Sequence, residues 1–145
     1  PPLQMLNISQ LALEIETSRS TIVNYLRYLS DARVARPIYR AEDTEMGKPA
    51  IVYLGNPNLS HVLGHEASDR SELLRTSVFN QLSNGHQARI SSRSSLALFE
   101  VDGHYPLQIE EELAGRYRSD RYYVLERGDL SREKTIPVWL FGFLY

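Results

Sequence analysis

The chain has 145 residues, of which 42% are hydrophobic, so it can bury a core as one domain or as two small ones. It contains no cysteine, which excludes a disulfide framework, a thiolate zinc site and a cysteine nucleophile. The formal net charge is -2, and residues 1 to 60 carry six basic and six acidic side chains. No excess of positive charge therefore favours non-specific phosphate binding.

Neither end of the chain has the pattern of a targeting or membrane segment. The first residues, 1–6, lack a basic region and an initiator methionine, so we expect further chain upstream. The longest apolar run, 138–145, is far shorter than the roughly 20 residues that a membrane helix needs, and we expect it to pack in a core. We therefore predict a cytoplasmic protein with no membrane partner.

Two short helices joined by a tight turn are predicted near the start. Apolar residues at positions 8, 11, 12 and 15 share one helical face, and Asn7 or Ser9 can cap that helix. Ser18 is a second cap candidate, and the helix that follows it carries Ile22, Tyr25, Leu26 and Leu29 on one face. We expect Tyr25 to be a core residue and Tyr28 to be the more exposed one. This arrangement is typical of a helix-turn-helix, whose second helix can enter a DNA major groove.

A β-hairpin and a domain boundary are predicted next. The β-prone runs 32–40 and 50–54 flank an acidic, glycine-containing stretch, as expected for the wing of a winged helix. A short helix then ends near residue 63. We place the boundary there, with a winged helix-turn-helix in residues 1–64 and a second domain in residues 65–145.

The second domain is predicted to contain both helices and strands, which makes the whole chain an α/β (α+β) protein. The spacing of apolar residues predicts a helix over 72–82, strands at 87–90 and 95–101, a helix over 107–117 and a strand at 121–126. Three consecutive glutamates, 110–112, are expected in the solvated first turn of the second of these helices.

Several side chains of the first domain are candidates for DNA contact. The outward-facing residues of the second helix are predicted to be Ser18, Arg19, Ser20, Asn24 and Arg27, and those of the wing to be Arg36, Arg40 and Lys48. Acidic residues at positions 14, 16, 31, 42, 43 and 45 cancel this charge. Duplex DNA and another protein surface therefore both stay open as partners.

Several short sequences in this order resemble one known family. They are residues 7–12, 18–26, 53–59, 80–82 and 99–101, together with the most specific one, Ile136-Pro-Val-Trp-Leu-Phe-Gly-Phe-Leu-Tyr145. Together they resemble the DUF4143 C-terminal region of AAA-type P-loop ATPases. The resemblance covers nearly the whole chain.

The resemblance implies a winged helix followed by a domain similar to PD-(D/E)XK nucleases. It also implies a parent protein with an N-terminal ATPase domain, which would bind ATP and Mg²⁺ and would contact this region. The present sequence contains no phosphate-binding loop of the form Gly-x-x-x-x-Gly-Lys-Ser/Thr, so we expect no cofactor in this chain. A homo-oligomer is a further expected assembly.

Nuclease activity would need clustered carboxylates for Mg²⁺ and a lysine. By the resemblance, the first carboxylate position falls on Arg75 and the second falls near Ser94 and Ser95. Glu100 and Asp102 remain as weak candidates for a catalytic metal site, with Asp102 standing where an active nuclease would carry lysine. Strand alternation would place both carboxylates on one face, but it equally suits a solvated strand.

The histidines give no clear catalytic pattern. His104 could act as a base, whereas His61, His65 and His86 are dispersed without ligand spacing. No Gly-x-Ser-x-Gly motif accompanies them. The sequence therefore favours a non-catalytic accessory region that contacts DNA or the ATPase core. A Mg²⁺-dependent nuclease and a free-standing transcription regulator are the alternatives.

Overall fold

The computed structural model describes residues 6–43, 48–63, 69–91, 98–113, 117–127 and 133–144. Within these ranges the fold is α+β, with four α-helices, two β-sheets and a 3-10 helix near the end. None of the helices in the described part of the chain has the length and apolar character needed to span a bilayer.

The first two helices are α1 (Ile8–Glu14) and α2 (Arg19–Asp31). Asn7 caps α1, because its Oδ1 accepts hydrogen bonds from the backbone N–H groups of Ser9 and Gln10, both at 3.1 Å. Ser18 caps α2 by accepting from the Thr21 N–H at 3.1 Å. The alternative start at Ser9 is thereby excluded, and the two predicted helices are confirmed.

A two-stranded antiparallel sheet follows the helices. It consists of β1 (Ala35–Ile38) and β2 (Ile51–Leu54), paired in the register Ala35 opposite Leu54. The short helix α3 (Leu59–Leu63) comes next. The hairpin and the short helix were both predicted, although part of the connection between the strands lies outside the described residues.

The second sheet has five strands and is preceded by the helix α4 (Arg70–Leu82). Its strand order follows the chain, and the first three strands are antiparallel whereas the last two run parallel to the third. The strands are β3 (Ala88–Ile90), β4 (Leu98–Val101), β5 (Tyr105–Glu110), β6 (Tyr122–Leu125) and β7 (Thr135–Pro137).

The prediction of a helix over residues 107–117 was wrong. The structure has β5 there, with Leu107 and Ile109 almost fully buried and the intervening Gln108 half-buried, which is the alternation of a strand. The glutamates 110–112 consequently occupy the end of a strand and the loop after it rather than the first turn of a helix. The strand β7 was not predicted at all.

The 3-10 helix Val138–Phe143 is the last element of the described chain and only partly fulfils the expectation of a core-packing segment. Phe141 is buried, but Trp139 and Phe143 are 56% and 66% exposed. The apolar end therefore contributes to the core and also presents two aromatic rings to the outside.

One hydrophobic core extends across the predicted domain boundary at residue 64. It contains Ile38, Ile51 and Tyr53 of the hairpin together with Phe79 of α4 and Phe99 of β4. A separate small core joins α1 and α2. The hairpin thus packs with the second sheet, and residues 6–63 do not have one core to themselves.

Candidate nucleic-acid interface

The exposed side of α2 carries two sectors of different chemistry. At about 100° per residue, Ser20, Asn24 and Arg27 fall within one sector opposite the buried Ile22. All three side chains are exposed, as predicted. We call this set the polar sector. It contains three of the side chains that the sequence predicts to contact DNA.

The predicted contact residue Ser18 has a structural task. Its Oγ accepts the Thr21 N–H at the helix start and lies 2.8 Å from the Ser20 Oγ and 2.8 Å from the Thr21 Oγ1. Because the hydroxyl is already engaged, a contact with DNA would compete with the cap. Arg19, the first residue of α2, is exposed.

A groove of about 250 Å³ lies between α2 and the β1–β2 hairpin. We call residues 35–43 and 48–54 the hairpin region. Asn24 and Arg27 line it from the helix, and Tyr39 and Pro49 line it from the other side. The Arg27 guanidinium also lies 5.6 Å from the centre of the Tyr28 ring, within the range of a cation–π contact. The structure thus brings two of the predicted DNA-contact residues to the same groove beside the predicted wing.

The three cations of the hairpin region differ in exposure. Lys48 is exposed, and the Arg40 side chain is 40% exposed and lies 3.8 Å from Glu42. Arg36 is half-buried in β1, and its Nε is covered without a hydrogen-bond partner among the described residues. Lys48 is therefore more available to a phosphate than Arg36.

The second sector of α2 is apolar and exposed. Tyr25, Tyr28 and Leu29 are 53%, 59% and 41% exposed, and we call them the apolar sector. The prediction that Tyr25 is a core residue was wrong, whereas Tyr28 is exposed as expected. α1 covers only the stripe around Ile22 and Leu26, which is narrower than the apolar face of α2.

The two carboxylates considered for a metal site are held differently. Glu100 is half-buried in the middle of β4, with Arg89 of β3 opposite. Asp102 lies beyond the strand, in a turn where it and Gly103 have φ values of 51° and 72°. The alternation that would place both carboxylates on one strand face therefore stops before Asp102.

Asp102 is bound within the chain by both of its carboxylate oxygens. Oδ1 accepts the Gln87 N–H at 2.8 Å, and Oδ2 lies 2.7 Å from the His86 Nδ1. These two hydrogen bonds, the backbone one first, lower the pKa of Asp102 below its usual range. The pair was missed at the sequence level, because His86 and Asp102 come together only through the pairing of β3 with β4, in which Ala88 lies opposite Val101.

The remaining predicted site positions are not brought together. Arg75 is half-buried in α4, His104 is exposed in the turn after β4, and Ser94, Ser95 and His65 lie outside the described residues. Across the ranges described, no three His, Asp or Glu side chains are grouped as they would be around a metal ion.

Comparisons with family models, with curated proteins and with solved structures found no match to this chain.

Proposed function

We propose that this chain is a non-catalytic accessory region of an AAA-type ATPase and that its winged helix, residues 1–64, contacts duplex DNA. One observation carries the DNA part of the proposal. The polar sector of α2 is exposed, and it borders the groove that α2 forms with the hairpin region. The link to an ATPase rests on the sequence resemblance alone.

The dimensions of α2 fit this task. Its 13 residues form a helix about 20 Å long, and the major groove of B-DNA, about 12 Å wide, admits an α-helix. Arginine pairs with guanine and asparagine with adenine in that groove. Arg27 and Asn24 are the residues we assign to base edges, and Arg19, Arg40 and Lys48 are those we assign to phosphates.

The charge balance limits how strong such a complex can be. The acidic residues Asp31 and Glu42 lie close to the proposed contact residues, Asp31 in the same groove and Glu42 beside Arg40. Affinity would depend on a few phosphate contacts and would fall steeply as salt rises. We therefore expect binding at low salt that weakens strongly at moderate salt.

A second candidate function is contact with the ATPase domain of the parent protein. The apolar sector favours it, because Tyr25, Tyr28 and Leu29 present exposed apolar surface on one side of α2. Aromatic residues are enriched at protein interfaces. The polar sector and the apolar sector lie side by side, so one helix could serve both partners.

For residues 65–145 we propose a nuclease-like domain without the catalytic set. The support is the resemblance, together with Arg75 at the first carboxylate position and the engagement of both Asp102 oxygens within the chain. The Mg²⁺-dependent nuclease is the alternative. Cleavage of DNA that requires Mg²⁺ and is lost in Glu100→Ala would establish it.

The test is fluorescence anisotropy of labelled duplex and branched DNA, titrated with the chain and Mg²⁺ at low and moderate salt. Arg19→Ala with Arg27→Ala should abolish salt-sensitive binding. Arg118→Ala with Arg127→Ala is a matched control, since it removes the same charge from exposed arginines of the second sheet region. Gel analysis of the same samples reports cleavage.

The outcomes separate the candidates. Loss of binding in the first double variant only supports DNA contact through α2. Equal loss in both variants indicates non-specific attraction to positive charge. An absence of binding at low salt favours the protein contact, which would then be lost in Tyr25→Ser with Leu29→Ser when the ATPase domain is the titrant.

A further inference from the structure

A second cavity lies where α4, the β4–β5 hairpin and the 3-10 helix meet, and none of the described residues that line it belongs to the polar sector. Its volume is about 360 Å³, within the roughly 300 to 1,000 Å³ of small-molecule sites. The residues around it are mostly apolar, among them Leu82, Val101, Leu140 and Phe141. The cavity therefore has the size and the lining of a ligand pocket.

Aromatic rings form part of the wall. Tyr105 and Tyr122 both line the cavity, and their ring centres are 6.0 Å apart with an edge-to-face angle of 67°. This edge-to-face geometry is a favourable one for aromatic pairs. A flat apolar molecule would gain the most contact here.

The His86–Asp102 pair supplies a polar group to the same lining. Asp102 is a carboxylate at neutral pH and can only accept, so the Nδ1 of His86 must carry the proton of their 2.7 Å hydrogen bond. In the neutral imidazole, Nε2 is then an acceptor with a lone pair. Among the residues that the structure describes, no lysine or arginine lines the cavity.

We propose that this cavity binds a small neutral aromatic molecule that carries a hydroxyl group, with the hydroxyl donating a hydrogen bond to the Nε2 of His86. The ring lies against Tyr105 and Tyr122, and its apolar edge meets Leu140. The proposal is independent of DNA binding, because none of these residues belongs to α2 or to the hairpin region.

The experiment is an NMR titration of the amide signals of the whole chain with p-cresol, with toluene as the ligand that lacks the hydroxyl. Saturable shifts are expected at the amides of Leu82, Val101 and Leu140. His86→Ala should weaken p-cresol roughly two- to tenfold, as for loss of one hydrogen bond, and leave toluene unchanged. Gln10→Ala is the control, since Gln10 is exposed on α1 and does not line the cavity.

A blocking variant keeps the test decisive. Leu140→Trp fills the cavity from a half-buried position, and it should abolish binding of both ligands while the melting temperature shows that the chain is folded. The proposal is overturned if no saturable shift occurs, if His86→Ala binds p-cresol as wild type does, or if 4-methylbenzoate binds more tightly than p-cresol. A concentration-dependent dimer that Leu140→Trp disrupts would assign the cavity to a second copy of the chain instead.

Discussion

Gly55 is the residue at which the backbone has least room for change. It follows β2, donates its N–H to the Val34 carbonyl at 2.8 Å, and a Cβ placed there would lie 1.8 Å from the Arg33 carbonyl oxygen. We predict that Gly55→Ala lowers the free energy of unfolding by about 2 kcal/mol or more, since backbone rather than a flexible side chain must move. Urea unfolding measures it.

Gly142→Ala is the control for that prediction. A Cβ at Gly142 would have no described heavy atom within 4 Å apart from its chain neighbours and its own helix, so the change should stay within about 0.5 kcal/mol. If both variants stayed within about 0.5 kcal/mol of wild type, the close approach at Gly55 would be relieved at little cost.

Two buried tyrosines differ in whether the hydroxyl group has a hydrogen-bond partner among the described residues. The Tyr53 hydroxyl is buried without a hydrogen-bond partner in the described part of the chain, and burial raises the pKa of Tyr53 above its usual range. The Tyr123 hydroxyl accepts the Arg118 N–H at 3.0 Å. We predict that Tyr53→Phe is neutral or stabilising, whereas Tyr123→Phe costs about 1 kcal/mol.

Chemical denaturation of both phenylalanine variants tests this contrast. If Tyr53→Phe lowered the free energy of unfolding by more than about 1 kcal/mol, the Tyr53 hydroxyl would have a hydrogen-bond partner, since that is the usual cost of losing one hydrogen bond. The ring itself should matter in both cases, because each tyrosine is only 2% exposed.

At the level of single residues, the sequence predicted what local chemistry decides. Asn7 and Ser18 cap helices because their short polar side chains reach the free N–H groups one turn ahead. Tyr25 was wrongly assigned to the core, because its exposure depends on how much of α2 a neighbouring element covers. The Asp102–His86 contact depends on the pairing of β3 with β4, which periodicity alone does not give.

Among the elements, β5 shows why one segment was misassigned. Glutamates favour the first turn of a helix, and three of them follow Ile109, so the local composition suggested a helix. Pairing with strands on both sides decides the outcome, since β5 lies between β4 and β6 and buries Leu107 and Ile109. The intrinsic helix propensity of a segment is outweighed when the segment can pair as a central strand of a sheet.

An ion pair joins the start of α4 to the end of β6. Both Arg70 Nε and Arg70 Nη2 donate to the Glu126 carboxylate, with a shortest distance of 2.7 Å, and the side-chain hydrogen bond lowers the pKa of Glu126. The folded chain therefore holds this proton less tightly than the unfolded chain does. The stabilisation is fully present above the unfolded pKa, about 4.3, and is lost as the pH falls through the folded value.

We predict that the difference in unfolding free energy between wild type and Glu126→Gln is largest near neutral pH and shrinks below about pH 4. Urea unfolding at a series of pH values measures this difference. Arg70→Gln should remove the same pH-dependent part, and the double variant should add nothing to it. A difference that stays constant with pH would show that the pair contributes no charge-dependent stability.

At the scale of the whole molecule, the two hydrophobic cores divide the chain at a different place from the boundary predicted from the sequence. The hairpin belongs by sequence with α1 and α2, but Ile38 and Tyr53 share a core with Phe79 and Phe99. Hydrogen bonds between Ile90 and the chain at Tyr39 and Ala41 continue this association along the edge of the second sheet. The sequence could predict each element here but not which sheet the hairpin packs against, because that requires long-range pairing.

This arrangement predicts how the molecule transmits a local loss of packing. Ile51 is 1% exposed in the main core, so Ile51→Ala should cost about 2–5 kcal/mol and should lower amide protection in β4 and β5 as well as in the hairpin. Ile8→Ala is the matched control, because Ile8 is 2% exposed but belongs to the small core of α1 and α2. Its effect on hydrogen exchange should stay within those two helices. If Ile51→Ala left the protection of β4 unchanged, the hairpin and the second sheet would be separate cooperative units, and the boundary near residue 64 would hold for stability as well as for sequence.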